Sequence, residues 1–363
     1  MSTFDVAVIG AGITGVAAAL AAQQRGARTC IIGRAPGATA LASGAWSGPL
    51  RAELRSAFAS AGLSLERVTG SLAHERGHIV KCDFAAASHA RATITSGTVV
   101  GGIFGLPQFH AAILARRWQP TAPLAAHTIR FADVPAAGWT ALSLAAYIEQ
   151  RPAVLAALLP RAEAVILPPV LGIERHTEVM SELAATGVQV AEALAATPSI
   201  PGWRLQRALA KTLSTNNIPV FEGRASAERV EGKRVVSVRT PDQSISARTF
   251  VLATGKFIGG GISGNSEFTE GVFDLPVWLE QLGDVFSAAD ALPLTDPVRS
   301  EEQVLLGAGV HTDERLRPVN RALDVVYENV FAAGTVRAGW NTAQAGLGHC
   351  AEEGWMAGMS ASA

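Results

Sequence analysis

The residues best equipped for chemistry are His349, beside Gly348 near the end of the chain, and two arginines, Arg204 and Arg317. A histidine within hydrogen-bond reach of a hydroxyl group can take its proton near neutral pH. A guanidinium can hold a phosphate or a carboxylate through two parallel hydrogen bonds. Each also has a structural reading, as a packed imidazole or as an ion pair between domains. His176 and His311 are weaker candidates of the same kind. His74, His78, His89, His110 and His127 fall in a stretch with no other chemical signal and read as structural. No Ser-His-Asp set or HExxH spacing competes. Cys30, Cys82 and Cys350 are odd in number and far apart. They make neither a disulfide framework nor the four thiolates of an iron-sulfur cluster. No metal is therefore expected, and any such cluster must sit on another chain.

A base and two cations need a reactive partner, and the first 34 residues offer a place to hold one. The apolar run 4–9 breaks into Gly10-Ala11-Gly12-Ile13-Thr14-Gly15, followed by an Ala-rich stretch over 16–24 and a second apolar run over 29–32. That reads as strand, glycine turn, helix, strand. Gly10 permits the tight turn, Gly12 lets backbone approach a pyrophosphate, and Gly15 lets the helix pack closely on the strand. The free N–H groups around Ile13 and Thr14 then open a helix end that favours phosphate. One part of a dinucleotide site is missing. The second strand should end in an acid for the ribose hydroxyls, about 20 residues past the glycines, but the sequence has Gly33-Arg34. Arg34 either faces a phosphate or is a solvated turn residue.

Other small-residue turns recur along the chain. The segment 38–48 contains Ser43 and Gly44 and can bring backbone N–H groups and hydroxyls close to a ligand; it also serves simply as a connection. A buried-looking strand over 249–253 ends in Thr254-Gly255, and another over 329–333 ends in Gly334. Gly346-Leu347-Gly348 opens a last helix, whose positive end suits a flavin ring where negative charge gathers upon reduction. Close helix packing explains each set of glycines singly, but not three glycine turns in one chain.

These elements need a frame. A chain of 363 residues suggests two domains or one elaborated one. Hydrophobic residues make up 48% and charged residues 17%, against about 25% charged in typical globular chains, so core material is ample. A net charge of -1 gives no basic field, and nucleic acid is not an expected partner. The Ala- and Leu-rich stretch 136–171 is broken by Glu149, Arg151, Arg161 and Glu163, short of the roughly 20 apolar residues of a membrane span. A strand starting by residue 4 leaves no room for a signal peptide. The expected location is cytoplasmic, with membrane association peripheral at most.

The expected fold class is α/β: a Rossmann-like FAD-binding domain of the glutathione reductase and fumarate reductase type, with an inserted α+β second domain. The first comprises 1–50, 200–262 and 305–363; the insertion comprises 51–199 with 263–304. Helices are expected over 51–62 and 142–158, and a helix opening after Thr197-Pro198 places Leu205, Leu209 and Leu213 on one face. Strands are expected over 92–95 and 98–103.

The glycine turn, Val-Leu-Ala-Thr-Gly at 251–255 and Asn-Val-Phe-Ala-Ala-Gly at 329–334 resemble the flavoprotein group that includes fumarate reductase. More narrowly the chain resembles the B-subunit family of anaerobic glycerol-3-phosphate dehydrogenase. That likeness rests on Ala40-Leu41-Ala42-Ser43-Gly44, Pro168-Pro169-Val170-Leu171-Gly172, Pro198-Ser199-Ile200-Pro201-Gly202 with Arg204-Leu205, the run 254–261, and Arg317-Pro318. It is weak over 50–150. Gly33-Arg34 departs from the fumarate reductase group but is similar to the B-subunit family.

The resemblance implies a flavin-bearing member of a complex that oxidises glycerol 3-phosphate to dihydroxyacetone phosphate and passes electrons to a quinone. Its implied partners are a catalytic FAD subunit, which binds the small-molecule substrate, and an iron-sulfur subunit. The resemblance assigns FMN to this chain, whereas the glycine turn is built for a dinucleotide; FAD is the expected cofactor and FMN stays open. Two other readings stand beside it. One is a self-contained FAD dehydrogenase or oxidase of another small hydroxy or amino substrate. The other is a non-catalytic assembly subunit that keeps the flavoprotein fold.

Overall fold

A computed structural model describes residues 2–33, 36–90, 94–119, 124–264, 267–279, 284–285, 294–295, 303–340 and 346–363. The chain divides into two compact units. The first comprises 1–39, 48–54 and 209–363, and the second 40–47 and 55–208. The described part of 263–304, expected with the insertion, thus falls in the first unit, and residues 40–47 and 200–208 fall in the second.

The first unit is built on a seven-stranded sheet among the described residues. Its strands run in the order Val220–Glu222, Thr29–Gly33, Ser2–Ile9, Ser244–Leu252, Arg234–Arg239 and Ser226–Glu231, and Val330–Ala332 also pairs with Ser244–Leu252. Four of these pairings are parallel, and the hairpin 226–239 completes the sheet in antiparallel fashion. Strands covered on both faces are apolar throughout rather than alternating, which is why Val6, Ala7 and Val8 are fully buried in succession.

Two helices of this unit pack through small residues. Ile13–Gln24 and Leu347–Ala361 come so close that a Cβ on Gly354 would lie 2.1 Å from the Thr14 carbonyl oxygen. A Cβ on Gly358 would lie 2.1 Å from that of Ala18. Any larger side chain at either position would force the helices apart.

The second unit carries a four-stranded sheet among the described residues, in the order Gln189–Glu192, Ala164–Leu167, Thr98–Ile103, Ala125–Ile129, with every pairing parallel. The helices Ala111–Trp118, Ala141–Gln150, Pro152–Leu158 and His176–Ala184 accompany it, and side chains such as Val100, Leu144, Leu155 and Ile166 form one core. The helical pattern expected over 142–158 is two helices. The break falls at Arg151, because the residue before a proline is driven out of the helical region. Thr140 and Ser143 form a capping box at the start of the first of them. The strand expected over 98–103 is present; of the one expected over 92–95, residues 92 and 93 lie outside the described residues and 94–95 are not in a strand.

Leu205, Leu209 and Leu213 are all buried along Ile200–Thr215. That helix starts where the Ser199 side chain accepts the Gly202 N–H at 2.9 Å. Ser199 also donates to the Ala42 carbonyl, and a Cβ on Gly202 would stand 2.1 Å from the Ala40 carbonyl oxygen. The segment 40–44 therefore lies directly against the start of this helix.

Candidate functional site

In the first unit, four parallel strands end side by side. Gly10 donates to Ile32 O at 2.7 Å, Ala253 to Ile9 O at 2.8 Å, and Ala333 to Leu252 O at 2.9 Å. Gly10, Thr254 and Gly334 therefore leave adjacent strands at one sheet edge, the carboxyl edge where open α/β sheets bind their ligands. Gly10 has φ +119°, and a Cβ there would lie 2.2 Å from Ala253 O. A Cβ on Gly15 would fall 1.8 Å from Gly10 O. Gly12 is different, since its added Cβ would meet a single atom of the described residues within 4 Å, the Thr39 hydroxyl at 3.0 Å. Space is kept open over the turn at that position.

The donors around Gly12 suit an anion. Gly12, at the start of the helix 13–24, has no side chain to cap it, and no acid sits in the helix's first turn. Ile13 N–H donates to the Thr39 hydroxyl at 3.2 Å; the helix end otherwise faces the open turn with its positive dipole. At the neighbouring strand end the Thr254 hydroxyl is buried without a partner among the described residues. Gly255 has φ +72°, as does Gly334, where a Cβ would strike the Thr14 hydroxyl at 2.4 Å. Open backbone, a helix end with no acid and only the Thr39 hydroxyl on its first N–H, and an orphaned hydroxyl at one sheet edge fit the pyrophosphate of a dinucleotide such as FAD.

Gly346 caps the last helix in extended backbone with no side-chain cap, and Leu347 begins it. Two turns along, Glu353 accepts the N–H of Gly334 and pairs with Arg337, whose Nε donates to the Thr312 hydroxyl at 3.0 Å. Glu353 and Arg337, which pin the third glycine turn, carry no local signature in the sequence. His349 is exposed, and a Cβ on Gly48 would come within 2.5 Å of its ring, so the imidazole packs against that glycine. Arg317 is half-buried; its Nε and Nη2 reach Asp313 Oδ2 at 2.8 and 2.7 Å. His311 stacks on Trp278 with ring centroids 5.2 Å apart. Arg34 lies outside the described residues.

Two ionisable side chains are buried in this unit with no opposite charge among the described residues hydrogen-bonded to them. Lys256 Nζ donates to the carbonyls of Leu306 and Trp340, and burial pushes its pKa down to about 7. Glu270 accepts the N–H groups of Val272 and Phe273, each at 2.8 Å. Burial pushes its carboxyl up to about 7 against those two hydrogen bonds.

The second unit holds a different kind of polar centre. Ser43 and Gly44 belong to it, and Ala195 N–H donates to Ser43 O at 2.9 Å. Arg204 is buried: its Nη1 and Nη2 donate to the two oxygens of Glu192 at 2.5 and 2.9 Å, and its Nε to Gly172 O at 2.7 Å. The structure thus places Arg204 in an ion pair within the second unit. Glu192, fully buried, also accepts Ser88 Oγ and Leu171 N–H, each at 2.9 Å. Burial alone would raise its pKa, but the Arg204 charge and the hydrogen bonds hold it well below the carboxylate range. His89 and His176 border the pair. Burial pushes His89 down, against the pull of Glu192; burial and then the Arg204 charge take His176 down to about 4. The sequence did contain one sign of this centre, a lone Glu inside the apolar run 190–195. Among the described residues no group of three His, Cys, Asp or Glu could hold a metal, and no helix is long and apolar enough to cross a membrane.

Comparison with known proteins adds three findings. The family model described as DAO, FAD dependent oxidoreductase, matches residues 5–271. The chain is 28% identical over 193 residues to the B-subunit of the anaerobic glycerol-3-phosphate dehydrogenase of Mannheimia succiniciproducens, an overlap of 52% of this chain and 43% of that protein. Against the probable B-subunit of the same enzyme in Halobacterium salinarum it is 30% identical over 212 residues, 55% of this chain and 47% of that one. The matched part spans about half the length of these curated relatives. Among solved structures, the 3-ketosteroid-Δ4-(5α)-dehydrogenase of Rhodococcus jostii RHA1 superposes with a TM-score of 0.42 at 14% identity, covering 100% of this chain and 97% of that one.

Proposed function

The chain belongs to the FAD-dependent oxidoreductase family, with FAD as its cofactor, and from that premise we propose that it is the flavin-bearing B-subunit of a glycerol-3-phosphate dehydrogenase-like complex. The observation that carries this reading is the likeness to the B-subunit proteins over about half the chain. The sheet edge where Gly10, Thr254 and Gly334 emerge together supports a cofactor site there. The proposed partners are a second FAD subunit and an iron-sulfur subunit, with a quinone as the final acceptor.

The bound flavin supplies the acceptor for the hydride released from the substrate carbon. This chain's residues do the rest. The Thr14 N–H at the opening of the helix holds the pyrophosphate, Ile13 lines it with its own N–H given to the Thr39 hydroxyl, and Gly12 keeps the approach free. Thr254 and Gly255 line the cofactor from the neighbouring strand end, and Gly334, fixed by Glu353, lines it from the next. Gly346 and Leu347 are proposed as further cofactor contacts, and Arg34 as a phosphate contact. His349 is the proposed base for the substrate hydroxyl, since its ring is exposed at the first turn of the last helix. Arg317 is the proposed anchor for the substrate's phosphate. Arg204 is left out of the substrate site, because all its described hydrogen bonds go to Glu192 and Gly172.

An anaerobic absorption spectrum of the purified chain, before and after glycerol 3-phosphate and with the released flavin identified, tests this. Release of FAD together with bleaching of the long-wavelength band by glycerol 3-phosphate is the expected result. A colour that glycerol 3-phosphate leaves unchanged, both alone and with co-purified partner chains, would sink the substrate assignment.

A further inference from the structure

The second unit contains a cavity of about 20 Å³, bordered by Gly44, Trp46, Leu63, His89, Arg204 and Leu205 among others. That is space for a group the size of one water or hydroxyl. Half-buried Ala42, Leu63 and Ala86 form part of its lining. His89, itself fully buried, borders the cavity, and its Nε2 has no hydrogen-bond partner among the described residues. Unpartnered buried polar atoms are rare in native proteins and call for an explanation.

We propose that this cavity binds the hydroxyl end of a small uncharged alcohol, with His89 Nε2 as the hydrogen-bond acceptor. Three observations set that chemistry. The His89 Nδ1 lies 3.1 Å from Glu192 O, and a carbonyl can only accept, so Nδ1 carries the proton and Nε2 presents a lone pair. The missing partner is therefore a donor. The charges of the centre are already spent, since the Arg204 guanidinium and the Glu192 carboxylate neutralise each other through two hydrogen bonds. His176 turns Nδ1 to Leu171 O at 2.7 Å and is neutral likewise. An ionic ligand would find no counter-charge there. The remaining lining, with Trp46, Leu63, Pro201 and Leu205, is apolar and suits a carbon skeleton rather than a second polar group.

Gly44 supplies the geometric condition. It has φ +103°, and a Cβ there would stand 2.7 Å from His89 Nε2. Any side chain at that position would stand against that nitrogen and close it off. The inference rests on the second unit alone and stands whether or not glycerol 3-phosphate is the substrate.

The test is nitrogen-15 NMR of the histidine rings in the full chain, labelled at histidine and purified with its flavin, titrated with ethylene glycol as the probe. The expected result is an unprotonated His89 Nε2 whose resonance moves saturably towards that of a hydrogen-bonded acceptor. Ala86→Leu, which fills the cavity, should abolish the response while the His176 signals stay in place. Should that variant not fold, Leu63→Phe serves the same purpose. A protonated Nε2, or a resonance indifferent to ethylene glycol at saturating concentration, overturns the proposal; the second result would assign the cavity to a captive water.

Discussion

The two units solve the problem of holding polar chemistry inside a protein in opposite ways. At the sheet edge of the first unit the working groups are backbone N–H groups, and space is made by leaving side chains out at Gly10, Gly12 and Gly15. In the second, Glu192, Arg204, His89 and His176 are full-sized ionisable side chains sealed among apolar ones. The first arrangement suits a charge that arrives from outside; the second has already cancelled its own. A backbone cradle fails when atoms are added, whereas a side-chain network fails when atoms are removed.

Adding atoms should have the largest effect. Gly15→Val puts branched carbon where even a Cβ would lie 1.8 Å from the Gly10 carbonyl oxygen, and backbone cannot yield as a side-chain tip does. The expected outcome is a loss of more than about 4 kcal/mol of stability and a chain purified without flavin. The flavin absorbance per chain and a melting curve check it. A yellow, stable variant would mean that the turn is not the cofactor cradle.

Removing atoms comes next. Glu192→Ala strands the Arg204 guanidinium, 7% exposed, with only Gly172 O as acceptor. Breaking a buried pair in this way costs about 3–5 kcal/mol, read as a lower urea midpoint. Replacing both, with Glu192→Leu and Arg204→Met, should recover most of it, because no charge is then left uncompensated. A single variant as stable as the parent would show that the pair is not the keystone of the second unit.

The same contrast decides what could be read from the sequence. The glycines at 10, 12 and 15 serve one local turn, so their roles are written within six consecutive residues, and the strands before Thr254 and Gly334 announce themselves by short apolar runs. Assembling the second centre takes Ser88 and His89, Leu171, Glu192 and Arg204, spread over more than a hundred residues with no repeating interval. Arg204 was legible as a chemically able residue but its partner was not, so a substrate anchor and a structural pair looked alike. His89 lay in a region whose pattern gave only short strands. Glu353 and Arg337 escaped for a related reason: a solvated helix face and a clamp on Gly334 use the same residue types.

Acid should pull the two units in opposite directions. His176 has an ordinary value of 6.5 that burial and Arg204 lower to about 4 in the fold. Between those values the unfolded chain binds the extra proton, so the stability this group contributes is complete above 6.5 and is lost as pH falls to about 4. The amount is about 3 kcal/mol. Glu270 runs the other way, because burial raises it from 4.5 to about 7. Its contribution is complete below 4.5 and is lost as pH rises through about 7. Hydrogen exchange read unit by unit at pH 4.5 and 6.5 should show the second unit loosening in acid and the first tightening. Glu270→Gln should remove the first unit's response alone.

The smallest structural effect, and the sharpest functional one, is expected at Arg317. Its pair with Asp313 is partly exposed, at 26% and 23% for the two side chains, and such pairs contribute up to about 1 kcal/mol. Arg317→Ala should therefore melt close to the parent. If Arg317 anchors a substrate phosphate, the lost hydrogen bond to a charged group is worth about 1.5–3 kcal/mol. The KM for glycerol 3-phosphate should then rise roughly 10- to 100-fold, and Arg317→Lys, which keeps the charge without the planar fork, should recover part of it. An unchanged KM would leave the first unit holding only the cofactor, and the substrate's phosphate would have to be recognised by another chain.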